Sequence, residues 1–183
     1  SLLQNSMLKD DFNLASRAIK SRESYTPSKF NNIVRNLLKV IFQNDFLSKQ
    51  RLLSFYNSKQ NLIHYSEFTS LKNKYFIYPL NQPFDEQLLV RAPNYINTVD
   101  NIEMIANCLP KNIDLIIKEH PVNPGMLSHS SIKKLKKKYS NIKFVNPRLP
   151  IRPLIQNSEG LITINSTAGI EALICNKNII VLG

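Results

Sequence analysis

The feature that most constrains this chain is the regular exchange of strand and helix patterns that begins at Lys74 and continues to the last residue. Short apolar runs at 75–78, 113–117, 142–145, 160–164 and 179–182 have the length of buried strands. Between them, 99–108, 131–139, 151–156 and 167–175 carry helical patterns. Five strands with four intervening helices imply right-handed βαβ crossovers, hence an α/β fold built on a mainly parallel, doubly wound sheet. Such sheets bind ligands just beyond the carboxyl ends of their strands.

Two strand ends stand out. Residues 114–125 read Asp-Leu-Ile-Ile-Lys-Glu-His-Pro-Val-Asn-Pro-Gly, an apolar run that stops at charged residues, a histidine and two prolines. This is the pattern of a buried strand emptying into a polar loop, and it puts His120 where a site is expected. Residues 160–171 read Gly-Leu-Ile-Thr-Ile-Asn-Ser-Thr-Ala-Gly-Ile-Glu, with hydroxyls and small residues leading into a helix. Free amides at a helix start favour anions such as phosphate. His120 and the turn from Asn165 to Gly169 are therefore read as facing one nucleotide-bearing ligand. The first strand is not followed by G-x-G-x-x-G, which disfavours a dinucleotide fold of the NAD type, and no P-loop occurs.

Residues 1–73 lack strand alternation and read as a helical connector preceding the α/β domain at 74–183. Ile33, Leu37, Leu38 and Ile41 fall at helical spacing, 46–56 repeats the pattern, and Tyr25-Thr-Pro-Ser marks a break. The chain opens on Ser and closes on an apolar strand without a following helix, so a piece of a larger protein is expected. No run reaches the roughly 18 to 20 apolar residues that cross a bilayer, and a soluble, cytoplasmic chain is expected. Cys108 and Cys175 lie in apolar helical surroundings without CxxC spacing and read as buried free thiols. A formal charge of +11 favours acidic partners. With no helix-turn-helix, RNP or finger pattern and no Trp, nucleic acid is not the expected one.

Three stretches together resemble the glycosyltransferases of bacterial capsule and surface-polysaccharide biosynthesis, the group that contains the capsule Kdo transferases. Tyr78-Pro-Leu-Asn-Gln-Pro-Phe-Asp-Glu-Gln is similar to the family's strand ending in Pro-Leu followed by Gln and an acidic residue. Lys118-Glu-His-Pro is similar to its Lys-x-His-Pro element. Asn165-Ser-Thr-Ala-Gly-Ile-Glu-Ala-Leu is similar to its Ser/Thr-x-Gly-x-Glu-Ala turn and helix. Order and spacing agree over residues 74–183. The resemblance implies a GT-B fold, of which this chain would hold the helical connector and much of the Rossmann-like, nucleotide-binding half. It also implies a CMP-linked acidic sugar such as Kdo as donor, a glycan or glycolipid acceptor and no further cofactor. The alternatives are a transferase or epimerase with a UDP- or CDP-linked donor and a non-catalytic module binding anionic polymer or membrane. No metal is expected, because no Asp-x-Asp is present.

Under that resemblance, Lys118, His120 and Pro121, with Asn165, Ser166, Thr167, Gly169 and Glu171, are the expected nucleotide-binding residues. His120 would meet the donor phosphate; its bland alternative is a histidine capping a strand end. Ser166 and Thr167 would offer hydroxyls and backbone amides and Gly169 close approach, against a plain helix cap. Glu171 either complements the helix dipole or takes a ribose hydroxyl. Where many relatives have Gln-Pro-Glu, this chain has Gln82-Pro83-Phe84 followed by Asp85 and Glu86. Asp85 is the better positional match to the Kdo transferases. Either carboxylate can serve as the catalytic group at the anomeric carbon, the alternative being a solvated turn. His64 and His129 read as surface residues. Lys133, Lys134, Lys136, Lys137 and Lys138 read first as a solvated helix face and, in the alternative, as a contact with the anionic inner face of a bacterial inner membrane.

Overall fold

The computed structural model describes residues 29–43, 46–82 and 85–182. The helical reading of 1–28, the break at Tyr25-Thr-Pro-Ser, and Pro83 and Phe84 lie outside them. The chain divides into two compact units, Ser1–Leu53 and Ser54–Gly183. In the first, α1 (Lys29–Gln43) contains the stripe read from the sequence, and Leu37, Leu38 and Ile41 on it are exposed. The helix α2 (Phe46–Gln60) contains the division.

In the second unit, α2 ends in a 3₁₀ turn at Asn61–His64 and leads to β1 (Tyr65–Ser66) and β2 (Tyr75–Pro79). Then come α3 (Thr98–Cys108), β3 (Asp114–Lys118), α4 (His129–Lys138) and β4 (Ile142–Val145). The unit closes with α5 (Ile151–Gln156), β5 (Gly160–Thr163), α6 (Ala168–Ile174) and β6 (Asn178–Val181). Two of the helices begin where short polar side chains can take orphan amides. Asn97 accepts from the N–H groups of Val99 and Asp100, and Ser128 accepts from that of Ser131. Asn176 follows α6 at φ 54°, the left-handed conformation that asparagine tolerates at a helix end.

The six strands form one sheet, parallel throughout, in the order β1-β4-β3-β2-β5-β6. From β2 the chain steps outward through β3 to β4, then returns past β2 to lay down β5 and β6. Because each crossover is right-handed, reversing the direction puts the later helices on the opposite face. The packing follows this rule. Tyr78, Leu115, Ile117, Phe144 and Ile162 bury against Ile102 and Ile105 of α3 and Ile132 and Leu135 of α4. Tyr75, Ile77, Ile116, Val145 and Leu161 bury against Leu154 and Ile155 of α5 and Ala168 and Ala172 of α6. With both faces covered, the central strands read as continuous apolar runs rather than alternating ones.

This is a Rossmann-like, doubly wound α/β fold, as the exchange of patterns implies. The difference lies in β1: Tyr65 and Ser66 pair with Phe144 and Val145, so a strand stands inside the stretch read as wholly helical. Two residues are too few to show a period. Among the described residues no helix is long and apolar enough to cross a membrane.

Gly160 sits where β5 is squeezed between its neighbours. A Cβ there would fall 2.6 Å from the Asn178 carbonyl oxygen and 2.9 Å from the Phe76 ring. Gly160→Ala is expected to destabilise the protein by about 1 to 3 kcal/mol, as overpacked sites do, through a shift of β6. Chemical denaturation of the variant against the parent measures this.

Candidate functional site

The reversal of strand order falls between β2 and β5, so the crevice of this sheet opens beyond the ends of those two strands. Two successive residues leaving β2 organise it. Asn81 Nδ2 donates to the Ile164 carbonyl at 3.0 Å, spanning the reversal point. Gln82 turns to the other neighbour, with its Oε1 accepting from Asn123 Nδ2 at 3.3 Å and its Nε2 lying 3.3 and 3.4 Å from the two ring nitrogens of His120. The segments beyond β3 and β5 are thus both tied to the β2 end. Neither Asn81 nor Asn123 is singled out by the sequence pattern.

His120 is half-buried and follows β3 at one residue's remove. The Val122 N–H donates to its Nδ1 at 3.2 Å, and the Asn123 N–H donates to its carbonyl at 3.1 Å. Accepting at Nδ1 makes Nε2 the protonated nitrogen of the neutral ring. Pro121 is exposed in the same loop.

The two residues before His120 are buried, each with partners. Lys118 Nζ donates to the Pro147 carbonyl at 2.7 Å. Burial lowers its pKa to about 8, and Glu171 opposes the shift by favouring the charged form. Glu119, 1% exposed, accepts from the N–H groups of Gly125 and Leu127 at 2.9 Å each, and from the Tyr65 hydroxyl at 3.1 Å. Burial, with Glu119 beside it, pushes the Tyr65 phenol well above its ordinary range.

At the β5 end, Asn165 adopts φ 51° and is exposed. The Thr163 hydroxyl accepts from the Ser166 N–H at 3.1 Å, and the Ser166 hydroxyl accepts from the Ala168 N–H at 3.3 Å. Thr167 is exposed and Glu171 half-buried. Gly169 is buried, and a Cβ on it would meet Thr163 Cγ2 first, at 3.6 Å. The protein itself therefore leaves room for a side chain at residue 169. On the β2 side, the Asp85 N–H donates to the Gln82 carbonyl at 3.2 Å, and the Asp85 carbonyl accepts from the Leu88 and Leu89 amides. Asp85 is half-buried and Glu86 exposed.

Two expectations are corrected. Cys108 is exposed, because the last position of α3 lies off the stripe of Ile102, Ile105 and Ala106, and Cys175, just after α6, is only half-buried at the edge of the α5–α6 cluster. His64 and His129 are not plain surface residues: their ring centroids lie 4.7 Å apart, and His64 Nε2 and His129 Nδ1 are buried without hydrogen-bond partners. They meet because the 3₁₀ turn ending at His64 packs on the start of α4.

A parallel sheet whose order reverses between β2 and β5 defines the class: a Rossmann-like unit in which polar residues gather at the ends of β2, β3 and β5. The family model described as capsule polysaccharide biosynthesis protein matches residues 2–183, and the chain belongs to that family. It is 40% identical over 94 residues to the capsule polysaccharide export protein KpsS of Escherichia coli, covering 49% of this chain and 23% of that protein. It is 30% identical over 118 residues to the capsule polysaccharide modification protein LipB of Neisseria meningitidis serogroup A, covering 60% and 28%. Among solved structures it resembles the β-Kdo 2,7 transferase of Thermosulfurimonas dismutans KpsC, with TM-score 0.49 and 14% identity over 78% of this chain and 44% of that one. The matches span about a quarter of the length of these curated relatives.

The burial of His64 makes stability depend on pH. Burial first, then His129, Lys136 and Lys133, lower the pKa of His64 from its ordinary 6.5. A depressed folded-state value means that the unfolded chain binds the proton more readily, so stability is lost as pH falls through the ordinary histidine range. The melting temperature is expected to drop between about pH 8 and about pH 5, and His64→Phe to flatten part of that drop in thermal scans.

Proposed function

We propose that this chain is the nucleotide-sugar-binding part of a glycosyltransferase of capsule polysaccharide biosynthesis, with a GT-B architecture and a CMP-linked acidic sugar such as Kdo as donor. The observation that carries the reading is the double tie at the end of β2. Asn81 joins the β5 end and Gln82 joins His120, so the three motif-bearing segments share the edge where sheets of this topology bind ligands. In this reading the His120 Nε2–H donates to a donor phosphate oxygen. The Ser166-Thr167 turn and Glu171 take the remaining phosphate and ribose groups, and Gly169 permits close approach. Lys118, Pro121 and Asn165 shape the pocket. Asp85 is the favoured carboxylate at the anomeric carbon, with Glu86 the alternative. The choice of CMP rests on the resemblance of the Lys118-Glu-His-Pro and Asn165-Ser-Thr-Ala-Gly stretches to capsule Kdo transferases.

Groups from a second domain would complete such a cleft, and good orientation supplies roughly 7 to 11 kcal/mol of barrier lowering. The 183-residue chain is therefore expected to bind CMP weakly and to transfer no sugar by itself. In calorimetry and thermal-shift assays, CMP is expected to stabilise it more than UDP or CDP. His120→Ala should weaken CMP binding roughly tenfold, the loss of one charge-assisted hydrogen bond. Gly169→Ala should fold and bind more weakly, and Asp85→Asn should bind like the parent. Stabilisation by UDP and not by CMP would overturn the donor assignment, and transfer by this chain at the full parent's rate would overturn the two-domain reading.

All five lysines of α4 are exposed, but Lys136 bonds to the His64 carbonyl and Lys138 to Glu103, so Lys133, Lys134 and Lys137 would lead a peripheral contact with an anionic inner-membrane surface, worth about 1 kcal/mol per lysine. Co-sedimentation with vesicles containing phosphatidylglycerol should then be lost on changing all three to Gln, whereas unchanged sedimentation would leave α4 a solvated face.

A further inference from the structure

We propose that Glu119 is the positioning residue of this site: its buried carboxylate anchors the loop that presents His120 and so fixes which ring nitrogen carries the proton. The loop from His120 to Leu127 is held from two sides. Gly125 and Leu127 each give their N–H to Glu119, one to each carboxylate oxygen. Their carbonyls are held from the other side, Gly125 by Asn57 Nδ2 at 3.2 Å and Leu127 by Asn61 Nδ2 at 2.9 Å. All four backbone groups of these two residues are thus committed to side chains.

Steric fit enforces the same placement. Gly125 has φ 84°, and a Cβ on it would lie 2.1 Å from the Ser54 carbonyl oxygen and 2.6 Å from the Ser58 nitrogen. Only glycine lets the loop lie this close to the backbone of α2. The loop is pinned at Glu119 on entry and at Gly125 and Leu127 on exit, leaving a short arch over residues 120–124. Inside that arch, the Val122 N–H reaches His120 Nδ1 and the Asn123 side chain reaches Gln82. The Val122 N–H and the Gln82 amide both face Nδ1, and slackened exit anchors would free the Val122 backbone from that contact. A buried carboxylate receiving two amides and a hydroxyl suits this task, because charged acceptors form the stronger hydrogen bonds.

The consequence for ligand binding rests on the nucleotide reading above; the consequence for the His120 ring does not. ¹⁵N NMR of the histidine rings in the 183-residue chain, with no nucleotide added, separates the two. The parent is expected to show neutral His120 as the Nε2–H tautomer. Glu119→Gln puts an amide N–H₂ against one of the two backbone donors, and should shift His120 to a mixture of tautomers while weakening CMP binding roughly tenfold. Tyr65→Phe leaves both amide anchors in place and should keep the tautomer and bind CMP within about twofold of the parent. Should Glu119→Gln fail to fold, the Asn57→Ala/Asn61→Ala double variant releases the same two residues from the carbonyl side and must produce the tautomer shift. A folded Glu119→Gln protein with His120 still wholly Nε2–H would overturn the proposal. A tautomer shift in a chain that binds no CMP would support the positioning role and sink the nucleotide reading alone.

Discussion

β2 is hydrogen-bonded to a parallel strand on each side, and helices cover both faces of the sheet around it, so its backbone meets solvent only where the strand ends. Tyr75, Ile77, Tyr78 and Pro79 are accordingly buried. Polar side chains can first be placed at residues 81 and 82, at the point where the strand order reverses. The crevice is thus a geometric consequence of laying β5 on the opposite side of β2 from β3. Its chemistry follows from which residues stand at the three exits.

The buried charges around that edge are paired, since an unpartnered buried charge costs several kcal/mol or neutralises itself, whereas Asn61 Oδ1 and Asn81 Oδ1 are buried without hydrogen-bond partners. Lys118 has the Pro147 carbonyl and the nearby Glu171. Glu119 has two amides and a phenol, and Asn61 has the Leu127 carbonyl. These contacts join residues far apart in sequence, so they fix the loops beyond the strands as firmly as the apolar clusters fix the strands. The loop after β3 is tied to α2, the 3₁₀ turn and the β3 end by these bonds.

The strands and helices from Lys74 onward were legible because a parallel sheet covered on both faces demands short, wholly apolar strands separated by amphipathic helices, and each such run is visible by itself. β1 was not legible, because its two residues become a strand only through pairing with β4. The stacked histidines illustrate the same limit. His64 and His129 are 65 positions apart, and no local pattern announces that a 3₁₀ turn and a helix start will meet. At the site, the segments containing Gln82, His120 and Asn165 could be named from the sequence, whereas the part played by Glu119 could not. Within Lys-Glu-His-Pro it looks like a solvent-facing charge; only the fold shows that Gly125 and Leu127 return to it.

That tetrapeptide becomes intelligible through strand alternation. Ile116 packs on the α5–α6 face and Ile117 on the α3–α4 face, so the next two residues continue the alternation past the apolar run. Lys118 goes to the first face, where Pro147 and Glu171 stand. Glu119 goes to the second, where Tyr65 packs against the α3–α4 cluster and supplies its hydroxyl. One charge of each sign is buried on opposite sides of the same strand end, each held by its own layer. His120 comes next in line, and its backbone is already fixed from both faces when its side chain reaches the crevice. In the role proposed for His120, a donor to phosphate through Nε2–H, one orientation and one tautomer are required, and this arrangement favours both.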